Sequence, residues 1–278
     1  MSQLTFAKMH GAGNDFIVID CPPDSRGAAF RDHPGLAEIS ALCDRKRGIG
    51  ADGLFFLTPL EGYRRMKMDF YNSDGSRAEM CGNGLRCAAF FASAKANGWR
   101  TPVFETDSGT LETEVLSSSG DGIAQVRISL PLKETFRDCG ILDGYRVYSG
   151  NTGVRHAVIP VRDTDSVDVA ATGRFFRCHS AFSPAGTNVD FVETEKNTDG
   201  LYRIRTYERG VEAETLACGT GIAAAGIVLS QFYAAGEKVS FLSRSGDKLE
   251  VEISKSESIL YKIHLTGPAV FSFFGSLP

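Results

Sequence analysis

The chain has 278 residues, of which 42% are hydrophobic, and its 30 lysines and arginines against 34 aspartates and glutamates give a net charge of -4. A chain of this length predicts about two domains, whose cores are large enough to fold without disulfides or metal ions. The charges are interspersed and no apolar run reaches the ~18 residues of a membrane span, so nucleic acid and membrane are both excluded as partners.

Cysteines, histidines and the first residues argue against three further classes of protein. The seven cysteines contain no Cys-x-x-Cys pair, which argues against a disulfide framework and against a zinc ribbon. The five histidines lack the spacing of a metal site, and we expect no metal. Residues 1–8 lack the apolar segment of a signal peptide. We therefore expect a soluble, cytoplasmic protein.

Short segments of alternating polarity dominate the chain and predict strands with one buried face. In chain order these segments cover residues 65–70, 110–115, 249–253 and 259–265. Three helices are predicted as well. The first begins at Pro34, a residue type favoured at the start of a helix, and ends before Gly48. The second covers residues 84–97, and the third begins near Gly219 and continues through residue 228.

The second and third predicted helices are apolar nearly all round, which is typical of helices that are buried on every side. Many half-buried strands with one such helix in each half predict an α+β fold whose sheets are mostly antiparallel. We therefore expect two pseudo-symmetric domains, each a sheet wrapped around a central buried helix.

The two halves of the chain carry similar landmarks in the same order. Cys81-Gly82-Asn83-Gly84 opens the second helix and Cys218-Gly219-Thr220-Gly221 opens the third, while Asn14 and Asn151 lie upstream at the same separation. These matches predict a duplicated domain with its boundary in the Ser- and Gly-rich residues 117–122. The predicted domains are residues 1–122, joined by a returning final strand at 267–278, and residues 123–266.

Each Cys-Gly-x-Gly segment places a thiol at the start of a helix. The N–H groups that follow it have no preceding helical turn to bond to, and they suit a carboxylate. The partial positive charge of a helix start also lowers the pKa of a thiol and favours a thiolate near neutral pH. For a single copy, the alternative is a small apolar residue in the core, which is how we interpret Cys87 within the second helix.

Two copies of the segment point to a specific reaction. Thiols on either side of a carbon that bears a carboxylate can remove a proton from one face and return one to the other, which inverts the stereocentre. One must be a thiolate and the other a thiol, and they exchange roles in the reverse reaction. The helix dipoles stabilise the enolate-like charge that develops. We therefore expect the active site in a cleft between the domains.

These residues resemble the diaminopimelate epimerase family, which comprises cofactor-independent amino-acid epimerases of bacterial lysine and peptidoglycan-precursor synthesis. The matching segments are KMHGAGNDF (8–16), RGIGADG (47–53), NSDGS (72–76), MCGNG (80–84), GTNV (186–189), YERG (207–210) and ACGTG (217–221). The resemblance implies two similar halves that close on a small-molecule substrate. It also implies epimerisation of LL-2,6-diaminopimelate to meso-diaminopimelate, no cofactor, and a homodimer.

The resemblance also implies a role for each matching residue. Cys81 and Cys218 are the acid/base pair, one on each face of the substrate α-carbon. The reacting carboxylate is held by N–H groups of Gly82, Asn83, Gly219 and Thr220. The remaining substrate contacts are Asn14, Asn72, Asn151, Asn188, Glu208 and Arg209. The planar guanidinium of Arg209 suits the distal carboxylate of diaminopimelate, and the asparagines supply both donors and acceptors.

The chain departs from the family pattern at two places. Some members carry Gln where this chain has Gly53, and we assign no substrate contact to Gly53. The usual Gly-Asn-Pro-His segment is replaced here by Gly150-Asn151-Thr152-Gly153-Val154-Arg155-His156, with two extra residues. We expect Asn151 to keep its role. For His156 two interpretations remain open, an auxiliary histidine of the catalytic site or a side chain that merely forms a hydrogen bond at the start of a strand.

Two other functions compete with this prediction. One is a related two-thiol racemase that acts on proline or another amino acid; Arg209 and the asparagines favour a substrate with a distal zwitterion instead. The other is a thiol-redox or ligand-binding protein, against which the absence of Cys-x-x-Cys and the anion-binding glycines both count.

Overall fold

A computed structural model describes residues 3–32, 35–78, 81–255 and 261–277. The chain divides into two compact units, which we call the first unit (Met1–Ile128 with Pro268–Pro278) and the second unit (Ser129–Gly267). The architecture is mixed α+β and rich in strands, with few helices. This confirms the predicted fold class at that level.

Seventeen strands and five α-helices are found in the described residues. The strands are β1 (Leu4–Gly11), β2 (Asn14–Asp20), β3 (Gly53–Pro59), β4 (Arg65–Asn72), β5 (Arg77–Ala78), β6 (Val103–Thr106), β7 (Gly109–Ser118), β8 (Ile123–Leu130), β9 (Glu134–Leu142), β10 (Tyr145–Asn151), β11 (Arg155–Val161), β12 (Asn188–Glu193), β13 (Tyr202–Glu208), β14 (Ala213–Thr215), β15 (Lys238–Leu242), β16 (Lys248–Lys255) and β17 (Tyr261–Leu277). The helices are α1 (Arg26–Asp32), α2 (Leu36–Cys43), α3 (Gly82–Lys95), α4 (Val169–Arg177) and α5 (Gly219–Phe232). None of these helices has the length and apolar character needed to cross a membrane.

Most of the predicted elements are confirmed. The strands predicted at residues 65–70, 110–115 and 249–253 correspond to β4, β7 and β16. The strand predicted at residues 259–265 corresponds to the start of β17 from residue 261, whereas residues 259 and 260 lie outside the described residues. Helices α3 and α5 correspond to the second and third predicted helices. Helix α2 corresponds to the first, although its predicted start at Pro34 lies outside the described residues. Helices α1 and α4 were missed.

The strands of the first unit form a closed ring. Strand β1 pairs with β2, and the ring continues through β3, β4, β6, β7 and β8. It closes through β17, where the N–H of Phe271 donates to the carbonyl of Gly122, and β17 pairs with β1. The β2–β3 and β4–β6 pairs are parallel, whereas β1–β2, β3–β4, β6–β7 and β7–β8 are antiparallel.

Helix α3 is packed against strands of the first unit. It contacts β1, β2 and β7, and residues 82–93 are all buried. The small side chains of Ala88, Ala89 and Ala92 let the strands approach closely. Beyond the helix, Asn97 and Gly98 adopt left-handed φ values of 52° and 82°, which end the helix. The apolar sequence of α3 is therefore explained by its burial.

In the second unit the strands pair in a comparable order. The β11–β12 and β13–β15 pairs are parallel, whereas β9–β10, β10–β11, β12–β13, β15–β16 and β16–β17 are antiparallel. Short strands flank both units in the same way, since β5 pairs with β4 and β14 pairs with β13. The series β10–β11–β12–β13–β15–β16 thus repeats the pairing directions of β1–β2–β3–β4–β6–β7.

Helix α5 is the buried helix of the second unit. Residues 221–229 are all buried, and the helix contacts β9, β10, β11, β12, β15 and β16. A β-carbon on Gly226 would lie 2.9 Å from the Val251 side chain, so the small residues of this helix match the close approach of β16.

The domain boundary predicted at residues 117–122 stays a prediction. These residues form the turn between β7 and β8, which pair with each other, and the N–H of Ser119 donates to the carbonyl of Ile123. The division between the units falls after Ile128, within β8, and again between Gly267 and Pro268. Serine, glycine and aspartate favour hairpin turns as much as linkers, so composition did not distinguish the two.

Candidate active site

Cys81 occupies the N-cap of α3 with extended backbone dihedrals (φ -134°, ψ 120°) and makes no side-chain cap. The first helical hydrogen bond runs from the N–H of Leu85 to the carbonyl of Cys81. The N–H groups of Gly82 and Asn83 therefore point out of the end of the helix, together with the positive end of its dipole. The sulfur lies beside this end and is partly exposed.

Asn14 and Asn83 surround the Cys81 thiol. The Oδ1 atom of Asn14 accepts from Cys81 Sγ at 3.5 Å and from Asn83 Nδ2 at 3.4 Å. On its other side, Asn14 Nδ2 donates to Asp52 Oδ2 at 2.7 Å. Because a carboxylate only accepts, Asp52 fixes the orientation of the amide, and the oxygen of Asn14 faces the thiol. The structure thus brings together three residues predicted from the sequence.

An ionic network holds Asp52 in place. Arg45 donates to Asp52 Oδ1 at 2.6 Å and to both carboxylate oxygens of Asp15. Asp15 also pairs at 2.7 Å with the buried Lys8, which donates to the carbonyl of Gly50. Burial alone raises the pKa of Asp15, but the hydrogen bonds from Arg45 and Lys8 outweigh it and hold the pKa well below its ordinary value. Asp15 is therefore ionised at neutral pH.

We call the group around Cys81 the first half-site and the group around Cys218 the second half-site. Arg86 is a buried residue of the first half-site that was not predicted from the sequence. It lies within α3 with no exposed surface. Its Nη2 donates to Asn83 Oδ1 at 2.9 Å, and its Nε donates to the carbonyl of Pro268 at 3.2 Å. Arg86 therefore orients the amide of Asn83, whose Nδ2 then faces Asn14. A charged residue inside an otherwise apolar helix was the available signal.

Asn72 does not join this cluster in the structure. Its side chain is exposed and donates to Ser76 Oγ at 3.0 Å, within the turn that follows β4. The predicted role of Asn72 in substrate binding stays a prediction.

Cys218 occupies the N-cap of α5, with dihedrals (φ -112°, ψ 109°) similar to those of Cys81. The first helical hydrogen bond runs from the N–H of Ile222 to its carbonyl, which leaves the N–H groups of Gly219 and Thr220 at the end of the helix. Cys218 is buried, unlike Cys81. Burial raises the pKa of its thiol well above the ordinary value, and the Glu208 carboxylate raises it further.

A series of hydrogen bonds leads from Cys218 into the second unit. Its Sγ lies 3.4 Å from Thr220 Oγ1, which in turn lies 3.0 Å from His156 Nε2. His156 Nδ1 lies 2.7 Å from Asp190 Oδ2, and Asp190 Oδ1 accepts from Thr206 Oγ1 at 2.8 Å. The strand registers bring these residues together, since Asp190 pairs with Thr206 across β12 and β13. His156 thus lies next to a neighbour of the thiol.

The two extra residues before His156 fold into a turn against α5. Asn151 Oδ1 accepts the N–H of Gly153 within this turn. Thr152 Oγ1 donates to the carbonyl of Thr220 at 2.9 Å, and its side chain is buried. The insertion therefore packs beside the N-terminal end of α5, and the side chain of Asn151 at the end of β10 bonds to this turn.

Asn188, Glu208 and Arg209 lie near the ends of β12 and β13. The Oδ1 atom of Asn188 accepts the N–H of Arg209 at 2.7 Å. The Arg209 side chain is exposed, and its Nη1 donates to the carbonyl of Ala185 at 3.1 Å. Glu208 is close enough to Cys218 to act on the pKa of its thiol. These residues form the polar edge of the second half-site.

The other cysteines have no comparable surroundings. Cys87 is fully buried in α3, and burial raises the pKa of its thiol to about 12, which confirms its prediction as a core residue. Cys21 and Cys43 are buried as well, and burial raises their pKa values to about 12 and about 11. Cys178 is exposed and lies at the end of α4.

Comparison with known proteins agrees with this arrangement. The sequence profile of the family described as diaminopimelate epimerase matches residues 6–126 and 148–272. A diaminopimelate epimerase of Aquifex aeolicus is 39% identical over 99% of this chain and 98% of its own length. The chain belongs to the diaminopimelate epimerase family.

Solved structures of other proteins share the fold of this family member at low sequence identity. A phenazine biosynthesis protein of the PhzF family from Bacillus anthracis covers 100% of both chains with a TM-score of 0.72 and 14% identity. A hydroxyproline epimerase from Agrobacterium vitis covers 100% of this chain and 91% of its own, with a TM-score of 0.67 and 16% identity. Identities this low show that the fold is shared, but they give no information about the substrate of this chain.

The polar residues behind the two half-sites were not predicted from the sequence. Asp190 lies in β12, in which every residue is buried, and Thr206 lies opposite it. Asp52 is part of a matching segment but was given no role. A carboxylate in a wholly buried strand needs a partner, so Asp190 was the strongest available signal.

Proposed function

We propose that this protein catalyses the epimerisation of LL-2,6-diaminopimelate to meso-diaminopimelate by proton transfer between two cysteines. The observation that carries the proposal is the repeated placement of a cysteine at the uncapped N-terminus of a buried helix, once in each unit. Membership in the family supports the reaction and makes the protein an isomerase.

In the proposed reaction, the thiolate of one cysteine takes the α-proton and the thiol of the other returns a proton to the opposite face. Cys81 and Cys218 exchange these roles in the reverse direction, so the reaction leaves the enzyme unchanged overall. The N–H groups of Gly82, Asn83, Gly219 and Thr220 hold the reacting carboxylate. The dipoles of α3 and α5 stabilise the negative charge that develops on it. No cofactor takes part.

The distal amino-acid end of diaminopimelate needs its own recognition because it must be bound without being altered. We assign the distal carboxylate to Arg209, whose exposed guanidinium offers a planar pair of donors. The other proposed contacts are Asn14, Asn72, Asn151, Asn188 and Glu208. Amide groups suit this task because each one both donates and accepts.

We also propose that the two units are the two halves of a duplicated fold, each with its buried helix at the centre, and that they close on the substrate. Their strands pair in the same order and direction, which supports the duplication. The proposed domains follow the units, and differ from residues 1–122 and 123–266 by the position of the boundary in β8. A homodimer stays a prediction from the family resemblance, and a cytoplasmic location stays a prediction from the sequence.

The test is hydrogen exchange at the substrate. The purified protein, exhaustively dialysed, is incubated with LL-diaminopimelate in deuterium oxide, and products are analysed by chiral separation and mass spectrometry. We expect meso-diaminopimelate with one deuterium at the inverted α-carbon, unaffected by carbonyl reagents. Activity on proline but not on diaminopimelate would establish the related racemase instead. No exchange with either amino acid would favour the thiol-redox or ligand-binding protein.

A further inference from the structure

A buried series of polar groups connects Cys218 to a carboxylate that the proposed mechanism does not use. The series runs from Cys218 through Thr220 and His156 to Asp190, with separations of 3.4, 3.0 and 2.7 Å. The side chains of His156 and Asp190 have no exposed surface. A buried carboxylate is costly unless it is fully hydrogen-bonded, so this placement requires an explanation.

The hydrogen bonds of Asp190 with His156 and Thr206 bear on where the protons of these groups lie. Asp190 Oδ1 accepts the hydroxyl of Thr206, and Asp190 Oδ2 faces His156 Nδ1. We assign Asp190 as an ionised carboxylate in which both oxygens accept, and in this assignment Nδ1 of His156 carries a proton. As a result, the Nε2 atom of His156 is the one that faces Thr220 and can gain or lose a proton.

Helix α5 makes room for the Asp190 carboxylate at Gly221. A β-carbon on Gly221 would lie 2.2 Å from Asp190 Oδ1, a distance that no side chain tolerates. Glycine at this position therefore lets the first turn of α5 approach Asp190 directly. Gly221, the fourth residue of the Cys218 motif, is thus matched to the presence of a carboxylate on β12.

We propose that Asp190 is a positioning residue that enables the proton of the Cys218 thiol to pass through Thr220 to His156. This inference rests on the proposed function, in which Cys218 must act as a thiolate in one direction. The thiol proton moves to Thr220 Oγ1 while the hydroxyl proton of Thr220 moves to His156 Nε2. The products are a thiolate and an imidazolium, and Asp190 stays ionised throughout.

We call the path from Cys218 through Thr220 to His156 the relay. It explains how Cys218 can form a thiolate although its surroundings disfavour one. Burial and the carboxylates of Glu208 and Asp190 all raise the pKa of this thiol, which disfavours a thiolate. When His156 takes up the proton, the transfer creates one negative charge on Cys218 and one positive charge on His156, and the ionised Asp190 stabilises that imidazolium. The charged groups that face the relay are Asp190 from β12 and Glu208 from β13.

The first test examines His156 directly and needs no substrate. In protein labelled with ¹⁵N in the imidazole rings, with resonances assigned through a His156→Asn variant, we expect His156 Nδ1 to be protonated over the whole accessible pH range. In Asp190→Asn we expect Nδ1 to lose this fixed protonation. A wild-type His156 protonated at Nε2 alone would overturn the proposal, as would unchanged spectra in the variant.

The second test measures the reactivity of Cys218. Alkylation by iodoacetamide is followed across pH, with the modified cysteine identified by peptide mapping. Asp190→Asn should slow alkylation of Cys218 at neutral pH by ~10-fold or more, because the thiolate is no longer favoured. Glu193→Gln is the matched control, since Glu193 is a buried carboxylate of the same strand that bonds to Thr164 instead. Equal rates in wild type and Asp190→Asn would contradict the relay.

A pair of substitutions at Thr220 keeps the proposal testable if Asp190→Asn does not fold. Thr220→Ser retains the hydroxyl, whereas Thr220→Val removes it at nearly constant volume. Under the proposed function, Thr220→Val should lower kcat by ~10-fold or more with little change in KM, and Thr220→Ser should restore it. Equal kcat in the two variants would overturn the relay. If no variant, including wild type, acts on diaminopimelate while the imidazole and alkylation results hold, only the proposed function fails.

Discussion

The two half-sites share a motif and a backbone but differ in what lies beneath the helix. In the first unit, Phe55 of β3 pairs with Val18 and with Phe70. In the second unit, Asp190 of β12 pairs with Val158 and with Thr206. The same pairing scheme therefore places an aromatic residue in one unit and a carboxylate in the other.

The difference extends to all three positions under the first helical turn. In the first unit these positions form an aromatic cluster with ring centroids 5.1–6.1 Å apart: Phe16, Phe55 and Phe70. In the second unit they form the hydrogen-bonded group of His156, Asp190 and Thr206. The lesson is that two equal motifs need not give equal thiols. The helix that begins after Cys81 packs on the aromatic cluster, and the thiol of Cys81 faces the amide of Asn14. The thiol of Cys218 is connected through Thr220 to His156 and Asp190.

The largest expected effect tests what the two half-sites have in common. Cys81→Ala and Cys218→Ala should each lower kcat by at least ~10³-fold, because neither thiol can serve both faces of the α-carbon. The measurement is epimerisation of LL-diaminopimelate by chiral analysis, with folding checked by circular dichroism. Cys178→Ser, at an exposed cysteine, is the control. Near wild-type turnover in either alanine variant would break the two-base proposal.

The next effect tests whether distal recognition belongs to the second half-site. Arg209→Lys keeps the charge but loses the planar pair of donors. We therefore expect the transition-state stabilisation calculated from kcat/KM to fall by about 1.5–3 kcal/mol. Arg203→Lys, on the strand that precedes Arg209 and in an exposed ion pair with Asp165, is the control and should change little. Unchanged steady-state kinetics in Arg209→Lys would show that this residue does not contact the substrate.

A smaller effect tests the first half-site. Asp52→Asn replaces one of two acceptor oxygens by an NH2 donor, so residue 52 no longer dictates the orientation of the Asn14 amide, whose oxygen faces Cys81. We expect the transition-state stabilisation given by kcat/KM to fall by about 1 kcal/mol. This is less than for Asp190→Asn, because Asp52 only orients an amide beside the thiol, whereas Asp190 stabilises the imidazolium that takes up the thiol proton. Steady-state kinetics of both variants check this order, with Asp107→Asn as an exposed control in the same unit. A larger loss in Asp52→Asn than in Asp190→Asn would reverse the comparison.

The cysteine motifs, the buried helices and the half-buried strands could all be predicted because local sequence carries them. Alternating polarity marked β4 and β7, and small apolar residues marked α3 and α5. These signals depend only on the periodicity of each segment.

The carboxylates behind the two thiols, Asp52 and Asp190, could not be predicted because strand register brings them there. His156 and Asp190 are distant in sequence and meet because β11 and β12 run parallel with Val158 opposite Asp190. Likewise, Asp52 reaches Asn14 because Phe16 pairs with Gly53. Register is a property of the folded sheet, and a single sequence does not reveal which strands are neighbours.

The last prediction concerns stability, not catalysis, and tests the ionic network that supports the first half-site alone. Asp15 lies between Arg45 and the buried Lys8, and their hydrogen bonds hold its pKa below its ordinary value of 3.8 despite the opposing effect of burial. A carboxyl group whose pKa is lower in the folded state stabilises the fold fully above its unfolded pKa, and loses this contribution as the pH falls towards the folded value. Asp15→Asn should therefore lower the free energy of unfolding by about 2 kcal/mol at neutral pH, and the difference from wild type should shrink as the pH falls below 3.8. Urea unfolding between pH 7 and pH 3 measures this difference, with Asp107→Asn, whose partner Arg77 is half exposed, as the control. A difference that stays constant over this range would mean that Asp15 contributes through packing and not through its charge.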